Sequence, residues 1–195
     1  MSSPNRIAVI CPGSSHGLFP GPDGYMATIG VNRAAIWHQC DYLVCRDAHT
    51  WRWIREQGGP WGRPAIVTER AVYEKIRADD AADAAGVLVN SRSIQAPMLF
   101  KVAWRRLGSL TAIALAAELL SAQHEPGTQW AAPGCIELFG MDLTGTADAD
   151  GFQHPKQWRD KTRWAKESRL LAECTALLAA HGIDVRRHQP AGETV

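Results

Sequence analysis

Ile7-Ala8-Val9-Ile10-Cys11, followed at once by Pro12-Gly13-Ser14-Ser15, is the stretch on which the fold turns. A short run of apolar residues closed by turn formers is the pattern of a strand buried on both faces. The pattern returns in Met26-Ala27-Thr28-Ile29-Gly30-Val31-Asn32, Asp41-Tyr42-Leu43-Val44-Cys45 and Pro64-Ala65-Ile66-Val67-Thr68. Gly86-Val87-Leu88-Val89-Asn90 repeats it more weakly. In the second half Cys135-Ile136-Glu137-Leu138-Phe139-Gly140 is the clearest strand, and Ile183-Asp184-Val185-Arg186 is placed to close the sheet. Helical segments fall between these runs. Residues 33–39 and 69–77 are short examples, and residues 109–123 open on Ser109 as N-cap and continue through an alanine-rich run. Residues 160–181 put Trp164, Leu171, Cys174 and Leu178 on one stripe, with Lys161, Lys166 and Arg169 opposite and Gly182 as the terminating glycine. Apolar strands separated by helices imply an α/β fold, a mostly parallel sheet flanked by helices.

The chain has 195 residues, 46% hydrophobic and 21% charged, with mean hydropathy −0.21. That length suits one domain spanning residues 1–195, since domains run on the order of 100–200 residues. Lys plus Arg number 21 and Asp plus Glu 20, for a net charge of +1. A balanced charge disfavours nucleic acid as the partner without excluding a local basic patch. The 5 cysteines form no C-x-x-C pair, which fits reduced thiols in a cytoplasmic protein. The N-terminal apolar run is too short for a signal peptide, and no stretch reaches the roughly 18 apolar residues of a membrane span. The 8 tryptophans outnumber 3 tyrosines and 4 phenylalanines, which suggests packing or a partner surface, a homo-oligomer included.

Open parallel sheets bind ligands at the carboxyl ends of their strands, so the strand-end residues are the candidates. Gly13, Ser14 and Ser15 follow the first strand as either an anion-binding nest or a tight turn without a ligand. This string is neither G-x-G-x-x-G nor a P-loop, so NAD-dependent and P-loop readings lose ground. Asn32 ends the second strand and either reads a base or sugar or serves as a turn residue. Asp47, after the third, either takes a ribose hydroxyl, a metal or a proton, or caps the following helix. Gly140 and Asp142 end the clearest strand and raise the same question. His154 lies in the 144–158 loop, a candidate active-site loop, as a catalytic base, a phosphate partner or a solvated histidine. His16 is a second such candidate. His49 and Asp47 are two apart, but spacing identifies no third metal ligand. Arg159, Lys161, Arg163 and Lys166 gather beside Trp158 and Trp164, either to meet a phosphate-bearing or nucleic-acid acceptor or as a solvated face. Trp51 and Trp53 with Arg46, Arg52 and Arg55 form a second cluster, suited equally to packing against a partner subunit.

Several of these strings together resemble one group of Rossmann-like enzymes. Val9-Ile10-Cys11-Pro12-Gly13-Ser14-Ser15 resembles the "G-x-G-P-S" opening of the Campylobacter-type sialyltransferases and the related DUF115 group. Ile29-Gly30-Val31-Asn32-Arg33-Ala34, Ser109 before its alanine-rich helix, and Glu137-Leu138-Phe139-Gly140-Met141-Asp142-Leu143 resemble later elements of the same group. So do Cys40 to Asp47 and the final helix and strand. The group includes motility accessory factors, archaeal 6-hydroxymethylpterin diphosphokinases and small bacteriophage proteins. The resemblance implies a Rossmann-like domain in which Gly13, Ser14 and Ser15 hold phosphate, Asn32 contacts ribose or base, and Ser109 lies near the phosphates at a helix N-terminus.

Three functions follow as expectations. The first is a glycosyltransferase-like enzyme using a nucleotide or nucleotide-sugar donor, its acceptor open, with His154 and Asp47 as catalytic candidates. The second is a DUF115-type diphosphokinase or phosphotransferase needing Mg²⁺ at Asp47 or Asp142. The third is a non-catalytic nucleotide sensor or phage accessory protein acting through a protein partner.

Overall fold

The computed structural model describes residues 5–60, 62, 64–79, 107–121, 134–143 and 161–189. Strands β1 (Arg6–Ile10), β2 (Ala27–Val31), β3 (Tyr42–Val44), β4 (Ala65–Val67), β5 (Gly134–Phe139) and β6 (Ile183–Arg187) form one sheet. Its order is β4-β3-β2-β1-β5-β6, and all of its pairings are parallel. Helices α1 (Ala48–Glu56), α2 (Arg70–Asp79), α3 (Gly108–Ser121) and α4 (Lys161–Ala179) flank it. The fold is α/β and Rossmann-like. From β1 the chain steps outward through β2, β3 and β4, then returns to the other side of β1 for β5 and β6. The two directions part between β1 and β5, the topological switch point of such a sheet.

Alternation along each strand sorts the side chains to two faces. Ile7, Val9, Ile29, Val31, Ile136 and Leu138 pack on α3 and on the Leu170, Leu171, Cys174 and Leu178 stripe of α4. Helix α3 is apolar almost all round and buried from Leu110 to Ala117, and its alanines let it lie close on β1, β2 and β5. On the other face, Leu43, Cys45 and Ile66 meet Trp51, Ile54 and Ile76 of α1 and α2. Trp51 is therefore a core residue, 1% exposed, and not part of a partner surface. Over β1 and β5 that face is covered by a smaller cluster built on Phe19, Ala34, Cys40 and Phe139.

Three local expectations shift. The second strand ends at Val31, because Asn32 turns into the left-handed region at φ 50° and opens a 3-10 turn over Asn32–Ile36 in place of the helix expected at 33–39. Helix α3 begins at Gly108, with Thr111 N–H bonded to the Leu107 carbonyl, so Ser109 lies inside the first turn and does not cap it. The strand expected at Gly86 to Asn90 lies outside the described residues. No described helix is long and apolar enough to cross a membrane.

Beside the small cluster lies a polar knot. Glu137 of β5, 3% exposed, accepts from Arg6 Nε at 2.9 Å and Nη2 at 2.5 Å, and from the Tyr25 hydroxyl at 2.9 Å. His188, just past β6, brings Nε2 to 3.0 Å from the same carboxylate and stacks on Phe139 with centroids 4.4 Å apart. Burial pushes the Glu137 carboxyl up, but the hydrogen bonds from Arg6, Tyr25 and His188 together with the Arg6 charge outweigh it and leave the carboxyl below its ordinary value. Burial, then the bond to Glu137, pushes the Tyr25 phenol up to about 12. Tyr25→Phe is expected to cost about 1–2 kcal/mol by urea denaturation at neutral pH. Because the folded carboxyl titrates below the unfolded one, its stabilisation is full above the ordinary value of 4.5 and is lost as pH falls through the lower folded value. Glu137→Gln should flatten that acid limb of the stability curve.

Candidate functional site

The carboxyl ends of β1, β2 and β5 enclose a cavity of about 230 Å³ at the switch point. The β1 loop from Cys11 to Ser14, Asn32, the start of α3, the β5 end from Gly140 to Leu143, and Arg163, Trp164 and Glu167 of α4 line it. Gly13, Ser14, Asn32, Ser109, Gly140 and Asp142, all singled out by the sequence, thus meet at one crevice. Ser15 sits just behind it, 2% exposed.

Two backbones touch at its floor. Gly13 N–H donates to the Gly140 carbonyl at 2.9 Å, and Cys11 N–H to the Phe139 carbonyl at 2.7 Å. A Cβ on Gly13 would overlap the Gly140 carbonyl oxygen and lie 2.6 Å from Asp142 Oδ2. Gly140, at φ 67°, has a Cβ position that overlaps the Cys11 carbonyl oxygen. Glycine is required at both places.

The β1 loop runs into a 3-10 turn, Ser14–Leu18, whose donors turn to Asp142. The Ser14 hydroxyl donates to Asp142 Oδ2 at 2.8 Å and Ser15 N–H to the same oxygen at 3.2 Å. The Ser15 hydroxyl bonds Asp142 Oδ1 and accepts from Gly140 N–H at 3.0 Å. The loop therefore has the character of an anion nest, and the anion it holds is a side chain of the protein.

The opposite wall is the start of α3. The donors of Gly108, Ser109 and Leu110 precede the first intrahelical bond and have no acceptor within the helix. Asn32 stands beside them: a Cβ on Gly108 would lie 3.6 Å from Asn32 Nδ2 and 3.2 Å from Val31 Cγ1. Asn32 Oδ1 accepts from Arg46 N–H at 3.4 Å. Asparagine tolerates the left-handed backbone there; Leu143, at φ 57°, adopts it with less ease. Among the described residues these two are the non-glycine positions with positive φ, and both line the crevice. Backbone strain of this kind gathers at functional sites.

Helix α4 supplies the third wall. Arg163 Nε donates to Glu167 Oε1 at 2.7 Å one turn on, and the guanidinium lies 6.0 Å from the Trp164 ring centroid. Glu167 is 6% exposed. The sequence reading passed over it as a site residue, although a signal was there. Glu167 falls three residues after Trp164 and four before Leu171, so an acid stands on the apolar stripe of its own helix.

Other candidates lie elsewhere. Asp47 caps α1, accepting from Thr50 N–H at 2.6 Å and from the Thr50 hydroxyl at 2.9 Å, and it does not line the crevice. Of its two readings, the structure assigns the helix cap. His154 and the 144–158 loop are outside the described residues. His16 turns away from the crevice, its Nδ1 2.8 Å from His38 Nε2 and its ring stacked on Trp37 at 4.4 Å. Burial holds both imidazoles below their ordinary value, with Asp142 opposing this at His16 and His16 adding to it at His38. Burial pushes the Cys40, Cys45 and Cys174 thiols up to about 12, which makes them poor nucleophiles. Among the described residues no group of three or more His, Cys, Asp or Glu is placed to hold a metal ion. Comparison with protein-family models, with curated proteins and with solved structures found no match.

Two outcomes follow. Gly140→Ala should cost at least about 1–2 kcal/mol from the left-handed backbone alone, and more from the overlap with Cys11, seen as a lowered denaturation midpoint. The depressed imidazoles mean that the unfolded chain binds more protons than the folded one just below the ordinary value of 6.5. Stability should therefore decline as pH falls through the ordinary value of 6.5 toward the lower folded values, and His38→Gln should reduce that decline in paired urea titrations.

Proposed function

We propose that the chain binds a nucleotide in the switch-point crevice and transfers a glycosyl group from a nucleotide-activated sugar. The observation that carries this reading is the joining of two features at one cavity: the α3 N-terminus, whose first N–H groups have no acceptor within the helix, and the amide of Asn32 beside it. Helix N-termini favour phosphate through both their free N–H groups and their dipole. An asparagine side chain presents a donor and an acceptor to a base or ribose. In the transfer, the bond between the anomeric carbon and the phosphate oxygen breaks while an acceptor hydroxyl oxygen bonds that carbon. The leaving phosphate keeps the electron pair, and the hydroxyl proton passes to a carboxylate. Preorganised donors at α3 would stabilise the charge growing on the phosphate. The resemblance of the strand-end strings to the sialyltransferase-like and DUF115 group supports the same class of chemistry.

A magnesium-dependent phosphotransferase is the second reading, since Asp142 and Glu167 both line the crevice. It is less favoured because Asp142 already accepts three hydrogen bonds and Glu167 is paired with Arg163.

A thermal-shift series with nucleoside mono-, di- and triphosphates, with and without Mg²⁺, tests both readings. Ligand at a hundredfold excess over its Kd should stabilise the fold by about 2.7 kcal/mol. Ser109→Asp should leave the unliganded melting temperature unchanged or raised, because an acid in the first helical turn suits the dipole, yet abolish the nucleotide shift. A shift that needs no Mg²⁺ supports the glycosyl-transfer reading, and one that requires it supports phosphotransfer. No shift with any nucleotide overturns both.

A further inference from the structure

The β1 loop has the donors of an anion site, and its place is taken. Ser14 Oγ, Ser15 N–H and Ser15 Oγ all turn their protons to the Asp142 carboxylate. Gly13 and Gly140 are packed down around that carboxylate with no room for a side chain. A phosphate at the same donors would find its hydrogen bonds committed and a like charge in contact. Along the crevice stands a second carboxylate, Glu167, with 6% exposure and one oxygen on Arg163. The Trp164 indole is beside it on the same wall. Carboxylates accept hydroxyl protons, and an aromatic ring packs against the carbon face of a sugar ring.

From this geometry we infer that Asp142 sets donor specificity. It keeps phosphate out of the β1 loop and repels an acidic sugar from the β5 end of the crevice, while Glu167, its charge balanced by Arg163, accepts hydroxyl protons from a neutral, hydroxyl-rich glycosyl group. The phosphates of the donor then lie at the α3 end. The inference rests on the nucleotide-sugar reading above for the identity of the ligand. Its account of the β1 loop does not depend on that reading. It also departs from what the family resemblance implies for Gly13, Ser14 and Ser15, and from an acidic sugar as cargo.

Isothermal titration decides it in two arms. In the first, inorganic phosphate is titrated into the full chain. The wild type should show no binding at millimolar phosphate, Asp142→Ala should acquire it, and adding Ser14→Ala and Ser15→Ala to that variant should remove it again. Asp142→Ser, which also draws the side chain back from the donors of Ser14 and Ser15, takes its place if circular dichroism shows Asp142→Ala unfolded. Folded variants that gain no phosphate binding overturn the role given to Asp142. In the second arm, UDP-glucose is compared with UDP-glucuronate, and CMP-sialate with CMP. The neutral donor should bind at least about tenfold more tightly than its acidic counterpart, and the sialyl group should weaken binding relative to CMP. In Asp142→Asn and in Glu167→Gln the neutral-to-acidic ratio should fall to about threefold or less. An acidic donor bound as tightly as the neutral one by the wild type overturns the specificity. If no nucleotide binds in any form, the nucleotide reading and the sugar specificity fall together, and the phosphate arm still decides what Asp142 does to the loop.

Discussion

Two parallel strands, β1 and β5, end side by side, and the chain leaves them in opposite directions. Their ends are joined backbone to backbone, with Cys11 bonded to Phe139 and Gly13 to Gly140. Main chains can approach this closely only where no Cβ intervenes, so the two glycines are a steric condition of the fold. Much of the rest follows from that contact. It holds the β1 loop over the end of β5, brings Asp142 to Ser14 and Ser15, and leaves a cavity where the loop and α3 diverge. Holding the loop and forming the cavity are one geometrical fact.

The sheet is covered unequally. One face carries α3 and α4 over an unbroken aliphatic surface. On the other, among the described residues, α1 and α2 pack on the β3 and β4 side. Above β1 and β5 the cover is a small aromatic cluster and the Glu137 knot, which ties β1, the approach to β2, β5 and the end of β6 through one buried carboxylate. A buried charge is tolerated where each oxygen is bonded, and here Arg6, Tyr25 and His188 provide the partners.

The crevice has a corresponding division. Its α3 side carries the first main-chain donors of that helix, whereas its β5 and α4 side presents two carboxylates, the Arg163 guanidinium bonded to one of them, and an indole.

The strands of the described residues were legible in the sequence because burial on both faces leaves a dense apolar run, a signal local in the chain. Helices α2, α3 and α4 were legible too, through the alanine-rich content of α3 and the stripe of α4, with shifts of a residue at their starts, whereas α1 was foreshadowed only by the cap reading of Asp47 and the helix expected at 33–39 is a 3-10 turn. Gly13, Asn32, Gly140 and Asp142 were legible as a set because parallel sheets gather ligands at strand ends, and Ser109 joined them through the family resemblance. Asp47 could be narrowed to two roles, and only the position of Thr50 chose the cap. Glu167 was missed because it is noteworthy only once α4 is known to lean on the crevice. By itself, then, the sequence determined the α/β class, the succession of strands, the helices α2, α3 and α4, and the strand-end residues, all consequences of periodicity and local chain chemistry. The tertiary structure alone decided that Asp142 occupies the donors of Ser14 and Ser15, that His16 turns to His38, and that Trp51 belongs to the core. Each of these depends on contacts between segments far apart in the chain, and pairing across such distances leaves no periodic trace in the sequence.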